Sequence, residues 1–498
     1  MSKSVIIVGA GIAGLSAGCY ARMNGYETTI FEMHSIPGGL CTAWKRKDYK
    51  WDISMHMLTN SRSGPFHKMW EELDVMKNRQ FYYHNEFVRI EGKDKSITMG
   101  MDAAEVKKAM MNISPADAKL IQEFAQVVYG KSMMDVASLN PPELSDFRET
   151  LKTFFKVLPL MPTLFKYSKT TVQDFAKKFS DPFLQKAVQF TIDSPGWRMI
   201  DFPMVAMNGM AEAGVKNAGV PLGGSQEVVF GISKKFKQLG GQIHFKKRVQ
   251  DLIIENGKVT GIKLESGEEH RAEMVIWAAD GHHLIFDILK EKYISDEIRN
   301  MYEKWIPVLS LVHVMIGVNR DMSKEPSKLI FELDAPIKVA DEDHKWLTVI
   351  QRNFDPSMAP AGKSAVEVWF TTKDDYWTNL EQDRKRYEQE KDRIAKECIA
   401  ALNKRWPGFT KQVEVIDVPT PATYKRYTGN WKASPDGWYV TPANMTKQNA
   451  QRTLPGLDGL YMVGQWTAPF TGTVIAALSG RQAVQIMCKK DGKKFQVS

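Results

Sequence analysis

The chain has 498 residues, 43% of them hydrophobic and 25% charged, with a formal net charge of +9. That length allows two or three domains with sizeable cores, and the composition is ordinary for a globular protein. No stretch approaches the roughly 18 continuous apolar residues that span a bilayer.

Met1-Ser2-Lys3 leads directly into an apolar strand, which leaves no room for a signal peptide. The cysteines, Cys19, Cys41, Cys398 and Cys488, are widely spaced. They are expected as reduced thiols of a cytoplasmic protein, not as a disulfide framework or a zinc site. The positive charge collects in runs such as Lys45-Arg46-Lys47, Lys246-Lys247-Arg248 and the tail from Lys489. These runs read as solvated surface or as an attraction for anionic lipid headgroups, giving peripheral membrane contact. No helix-turn-helix, zinc-finger or RNP-like pattern accompanies them, so nucleic acid is not an expected partner.

In chain order, Val5-Ile6-Ile7-Val8 predicts a short strand that runs into Gly9-Ala10-Gly11-Ile12-Ala13-Gly14. This is a dinucleotide-binding fingerprint. Gly9 permits the tight turn, Gly11 lets a pyrophosphate approach the backbone, and Gly14 lets the following helix pack on the strand. That helix is expected to stop near Asn24-Gly25, and its N-terminus faces the phosphate. Glu32, after the strand Thr28-Thr29-Ile30-Phe31, is placed to accept hydrogen bonds from a ribose diol. The fingerprint's place at the start of the chain favours FAD. Next comes Pro37-Gly38-Gly39-Leu40-Cys41-Thr42, whose backbone N–H groups can contact the second phosphate or the flavin edge.

Residues 66–218 read as helix-rich, with a very apolar stretch at 153–165 broken by Pro159 and Pro162. Val220-Pro221-Leu222-Gly223-Gly224-Ser225 opens a second nucleotide-binding block. A helix is predicted over 226–239, then strands over 242–245, 248–255, 258–265 and 274–278, with hairpin turns at Asn256-Gly257 and Ser266-Gly267. Further on, 308–317 reads as a strand and 380–404 as a charged helix. Near the end, Leu460-Tyr461-Met462-Val463-Gly464-Gln465 reads as a short strand and turn. After Ala468-Pro469-Phe470-Thr471-Gly472, a small-residue helix begins at Thr473-Val474. Its N-terminal dipole would face the negative charge of a reduced flavin.

Taken together, these blocks resemble the phytoene desaturase, carotenoid isomerase and all-trans-retinol saturase-like group of FAD-dependent oxidoreductases, within the flavin amine oxidase superfamily. The resemblance is carried by the fingerprint, Gly38-Gly39, Gly223-Gly224, the strand at Val249, Leu460-Tyr461-x-Val463-Gly464 and Ser479-Gly480-Arg481, all in family order. It implies an α/β architecture: a Rossmann-like, glutathione-reductase-type FAD-binding domain assembled from residues 1–65, 219–284 and 415–498. The remaining 66–218 and 285–414 would form an α+β substrate domain with a helical, membrane-facing part. It also implies that the Val249 backbone holds the adenine, and that Gly464-Gln465 and Thr473-Val474 approach the pyrophosphate and isoalloxazine. Two departures stand out. Leu40 replaces a basic residue found in amine oxidases and many desaturases, and 468–472 replaces a glycine run.

The residues contain no nucleophile–histidine–acid set with local motif support and no metal-ligand cluster. His282-His283 are not expected to bind metal. The segment 51–57 is similar to one that saturase-like members carry beside the flavin, which makes His56 the candidate for proton transfer or hydrogen bonding. The expected function is oxidoreduction or isomerisation at carbon–carbon bonds of a long hydrophobic substrate such as a carotenoid, retinoid or other lipid. Two alternatives are an oxidase acting on amine C–N bonds and a non-catalytic lipid-binding flavoprotein.

Overall fold

A computed structural model describes residues 2–130, 137–207, 217–445, 452–468 and 472–498. Residues 469–471, within the loop that departs from the family pattern, lie outside these.

Two sheets organise the chain. The first is parallel and has five strands, ordered Gln242–His244, Glu27–Phe31, Ser4–Val8, Met274–Trp277, Leu460–Met462. Alternation along the central strand explains its two-sided burial. Val5 and Ile7 face one layer, formed by the helices Ile12–Met23, Ser225–Gln238 and Thr473–Lys490. Ile6 and Val8 face the other, a three-stranded antiparallel sheet of Val249–Glu255, Lys258–Leu264 and Glu269–Arg271. Both predicted hairpins form in that small sheet, at Asn256-Gly257 and Ser266-Gly267.

The helices on the first layer approach each other closely because glycines line the contact. A Cβ on Gly14 would lie 2.1 Å from Gly9 O, and one on Gly480 would lie 2.5 Å from Ala13 O. Ser16 Oγ donates to Ala477 O across the same contact (2.7 Å).

The second sheet has seven strands, ordered Val413–Asp417, Ser310–Val318, Ser364–Thr372, Glu342–Gln351, Lys328–Val339, Glu86–Glu91, Ser96–Gly100. All neighbours are antiparallel except Lys328–Val339 with Glu86–Glu91. One face is sealed by the charged helix Arg384–Arg405, against which Val312, Val314, Ile316, Val366, Val368 and Phe370 pack. The other face therefore carries the alternate residues, His313 among them, together with Glu367 and Trp369. It turns toward the junction of the two sheets.

A helical cap covers the far end of this sheet, built from Ala103–Ile113, Ala118–Val128, Val172–Ala176 and Pro182–Phe190. Asp102 and Asp181 cap two of these helices through backbone N–H groups. The apolar stretch at 153–165 joins the core only in part, through buried Leu160 and through Leu164, which packs against the helical cap. Phe147–Val157 and Met161–Tyr167 are short helices separated at the prolines, and they leave Phe147, Phe154, Phe155 and Phe165 exposed. Among the described residues no helix is long and apolar enough to cross a membrane. All four cysteines are buried free thiols.

Candidate active site

A cavity of about 490 Å³ opens between the two sheets, at the carboxyl ends of the parallel strands. This is the position where open α/β sheets take ligands. Its inner end is built from the fingerprint. Gly9 adopts φ +100°, and its N–H donates to Phe31 O (2.8 Å). Gly11 is the N-cap of the first helix and has no side-chain partner for the free N–H groups that follow. A Cβ on Gly11 would meet nothing within 4 Å, because the space above it is cavity.

Glu32 is buried at the same end. Its carboxylate accepts from Ala10 N (2.7 Å) and His34 N (2.9 Å). These bonds fix both oxygens and leave lone pairs for a diol. Gly38, Gly39 and Leu40 line the next stretch, and Gly38 N donates to Ala10 O (2.9 Å). Val249 lines the wall beside Glu32. Gly464 and Gln465, with Thr473 and Val474 at the start of the last helix, line the opposite side. That helix also has no side-chain cap, and a Cβ on Gly472 would meet nothing within 4 Å.

Three expected residues stand outside the lining. Ala10 faces Glu32 through its N–H, and Gly14 sits behind the turn against Gly9. Thr42 turns back on its own loop, its N–H donating to Leu40 O (2.8 Å).

The inner cavity fits a dinucleotide. It has two uncapped helix N-termini, two glycines whose missing side chains leave open space, and a buried carboxylate positioned for a ribose. The Gln465 side-chain amide nitrogen is buried without a hydrogen-bond partner, a donor ready for an acceptor on such a ligand.

Trp197, Met199, Phe202 and Val440 make the outer wall apolar. Gly196 pins this loop to the second sheet. A Cβ there would lie 2.7 Å from Thr348 Cβ and 2.8 Å from Trp369 Cβ. His56 lines the cavity with its ring against Trp369, at a centroid distance of 4.6 Å.

The His56 loop is held from two sides. Asp52, fully buried, accepts from the Ser225 backbone and hydroxyl and from Ser54 N. Arg352, also buried, donates to Met55 O (2.9 Å), Asp52 O (3.0 Å) and His56 Nδ1 (3.3 Å). No carboxylate pairs with Arg352 among the described residues. Burial, followed by this guanidinium, holds the His56 pKa well below the usual histidine range. The ring is therefore neutral, with Nδ1 accepting and Nε2 carrying the proton.

Asp280 lines the cavity where it meets the end of the Met274–Trp277 strand, and burial pushes its pKa up to about 6. His282 and His283 diverge. His282 stacks on Trp431 (4.6 Å), and His283 Nδ1 bonds Asp287 (2.8 Å).

Sequence reading missed Arg352, Trp197 and Trp369. Arg352 follows an apolar strand, and only the pairing of the second sheet brings it to residues 52–56. Trp369 lies in the strand Ser364–Thr372, which the sequence reading did not single out.

Against known proteins, residues 12–488 match the family described as flavin containing amine oxidoreductase. The chain is 25% identical to a chloroplastic prolycopene isomerase of Daucus carota, covering 97% of this chain and 78% of that one. It is 22% identical to a lycopene-forming phytoene desaturase of Pseudescherichia vulneris, covering 97% and 99%. An oxidoreductase of Methanosarcina mazei shares the fold, with a TM-score of 0.59 at 17% identity over 97% of this chain and 99% of that one. The chain belongs to the flavin containing amine oxidoreductases, and FAD is its cofactor.

Proposed function

We propose that this flavoenzyme acts on carbon–carbon bonds of a long hydrophobic polyene of the carotenoid class, by desaturation, saturation or isomerisation. The observation that carries this reading is the outer cavity wall, apolar and aromatic at Trp197, Met199, Phe202 and Val440. The names of the relatives that match nearly the whole chain point the same way. An amine substrate is disfavoured by the same wall. A protonated amine at His56 would feel the positive field of Arg352, which lies behind the His56 loop, and of Lys328, both of which lower the His56 pKa. Leu40 in place of a basic residue agrees with this.

FAD, when bound, supplies the hydride donor or acceptor. Gly9, Gly11, Gly38, Gly39, Gly464, Gln465, Thr473 and Val474 would hold it, with Glu32 on the ribose and Val249 beside the adenine. Trp197, Met199 and Phe202 exclude water from the reacting bond. His56, neutral and clamped by Arg352, presents Nε2–H to the cavity as a hydrogen-bond donor. We assign the cofactor part to residues 1–65, 219–284 and 415–498, and the substrate part to 66–218 and 285–414. This assignment is supported by the five-stranded parallel sheet, whose strands all fall in the first set. The exposed face at Phe147–Phe165 supports peripheral contact with a membrane that dissolves the substrate.

The test is anaerobic mixing of the FAD-loaded protein with phytoene, prolycopene or putrescine, in both cofactor redox states, followed by flavin absorbance and product chromatography. Polyene conversion without any response to putrescine is expected, and His56→Ala should slow it while leaving the flavin spectrum intact. Flavin bleaching by putrescine, with both polyenes recovered unchanged, overturns the reading.

A further inference from the structure

The second sheet carries one ionisable residue in each of two buried strands: His313 in Ser310–Val318 and Glu367 in Ser364–Thr372. Antiparallel pairing sets His313 opposite Trp369 and Met315 opposite Glu367. Alternation then puts His313, Glu367 and Trp369 on the face turned toward the cavity. His313 is 0% exposed and Glu367 is 2% exposed. Such residues are costly to bury unless they serve each other or a ligand.

Their geometry forms a chain. Glu367 Oε2 accepts from Trp369 Nε1 (2.9 Å) and lies 3.4 Å from His313 Nδ1. His313 Nδ1 makes no hydrogen bond, and the Glu367 carboxylate is the charged group that faces it. On the far side, His313 Nε2 is 2.7 Å from the Tyr424 hydroxyl. Tyr424 comes from the helix Pro421–Thr428 and lines the cavity, on the wall shared with Leu40 and Trp197. A carboxylate facing Nδ1 favours the proton there. Nε2 is then the acceptor, and the Tyr424 O–H donates to it. His56 stands on the other side of Trp369, with its proton-accepting nitrogen already taken by Arg352. His56 is thus poorly placed to move a proton, whereas Tyr424 has a route for one.

We propose that Tyr424 is the catalytic acid–base residue of this enzyme, with His313 and Glu367 as positioning residues that take up and return its proton. This rests on the proposed carbon–carbon chemistry. In desaturation, bound FAD would supply the acceptor for a hydride from one carbon of the polyene. Its neighbour loses a proton to Tyr424 Oη, and the electron pair of that C–H bond becomes the new C=C. Tyr424 gives its own proton to His313 Nε2, and the imidazolium is held by the Glu367 carboxylate. Saturation is the reverse: with the hydride supplied by reduced FAD, a proton passes from Tyr424 to carbon, and His313 restores the hydroxyl.

Two measurements test this. In the first, the protein is labelled with ¹⁵N-histidine and the tautomer of His313 is read by NMR. The Nδ1–H form is expected, with its Nε2 resonance displaced in Tyr424→Phe. A His313 ring protonated at Nε2 overturns the relay. In the second, FAD-loaded protein is mixed with phytoene in detergent micelles in H₂O and D₂O. Tyr424→Phe should keep the flavin spectrum, slow the single-turnover rate about 10²–10⁴-fold and lose the solvent isotope effect. A wild-type rate in that variant overturns the assignment. If wild-type protein converts neither phytoene nor prolycopene, the functional reading fails, and the tautomer still decides the relay.

Discussion

Gly11 separates folding from cofactor binding at a single position. Its backbone, φ −68° and ψ 174°, is extended and suits a β-branched residue, and a Cβ there touches no protein atom. Gly11→Val should therefore leave the cofactor-free protein folded with its melting temperature nearly unchanged, while its methyl groups fill the space above the turn. The variant is expected to be colourless and to gain no thermal stability from added FAD, whereas wild-type protein gains stability by mass action. Absorbance and melting curves with and without FAD check both points, and a yellow variant stabilised by FAD would remove Gly11 from the binding site. Gly14 behaves differently, because its Cβ would strike Gly9 O at 2.1 Å, so substitution there damages the turn itself. The local spacing of glycines and acid made this end of the site legible. Of the outer wall only His56 could be singled out, through the resemblance of 51–57, because Arg352, Tyr424 and His313 lie far from it in the chain and on separate elements. In the chain, His313 and Glu367 show only as single ionisable residues in apolar stretches.

Among the elements, the pairing of the first helix with the last decides whether the cofactor site closes. Gly480 lies in the middle of Thr473–Lys490, where an added Cβ would sit 2.5 Å from Ala13 O and 2.7 Å from Ala17 N. Both are backbone atoms and cannot rotate away. Gly480→Ala forces the helices apart and moves Thr473 and Val474 off the cavity wall. Overpacking of this kind costs about 1–3 kcal/mol, so a lower urea midpoint is expected together with weaker FAD retention. An unchanged midpoint would mean that the two helices do not touch as described. The helices and hairpins themselves were readable from periodicity and from Asn-Gly and Ser-Gly turns. The order of the seven-stranded sheet was not, because Glu86–Glu91 pairs with Lys328–Val339 across nearly half the chain. No local pattern encodes a partner that distant.

At the scale of the whole molecule, the exposed apolar face and the net charge of +9 act together. Phe147 is 80% exposed, Phe165 76%, Phe155 60% and Phe154 54%, on two short helices that the prolines at 159 and 162 keep from merging. Lys152, Lys156 and Lys166 are exposed on the same helices. Aromatic side chains beside lysines suit the headgroup boundary of an anionic bilayer, where each lysine contributes about 1 kcal/mol at low salt. The protein should therefore sediment with phosphatidylserine-containing vesicles at low ionic strength and release as salt approaches about 0.5 M, where the Debye length falls to a few ångströms. Phe154→Ser with Phe155→Ser removes apolar surface that supports no core. The double variant should keep its melting temperature and FAD content but bind vesicles more weakly. Absence of vesicle binding by wild-type protein at low salt would sink the membrane assignment. Binding that survives in the double variant would move it to another face, with the basic run at Lys246-Lys247-Arg248 the next surface to neutralise.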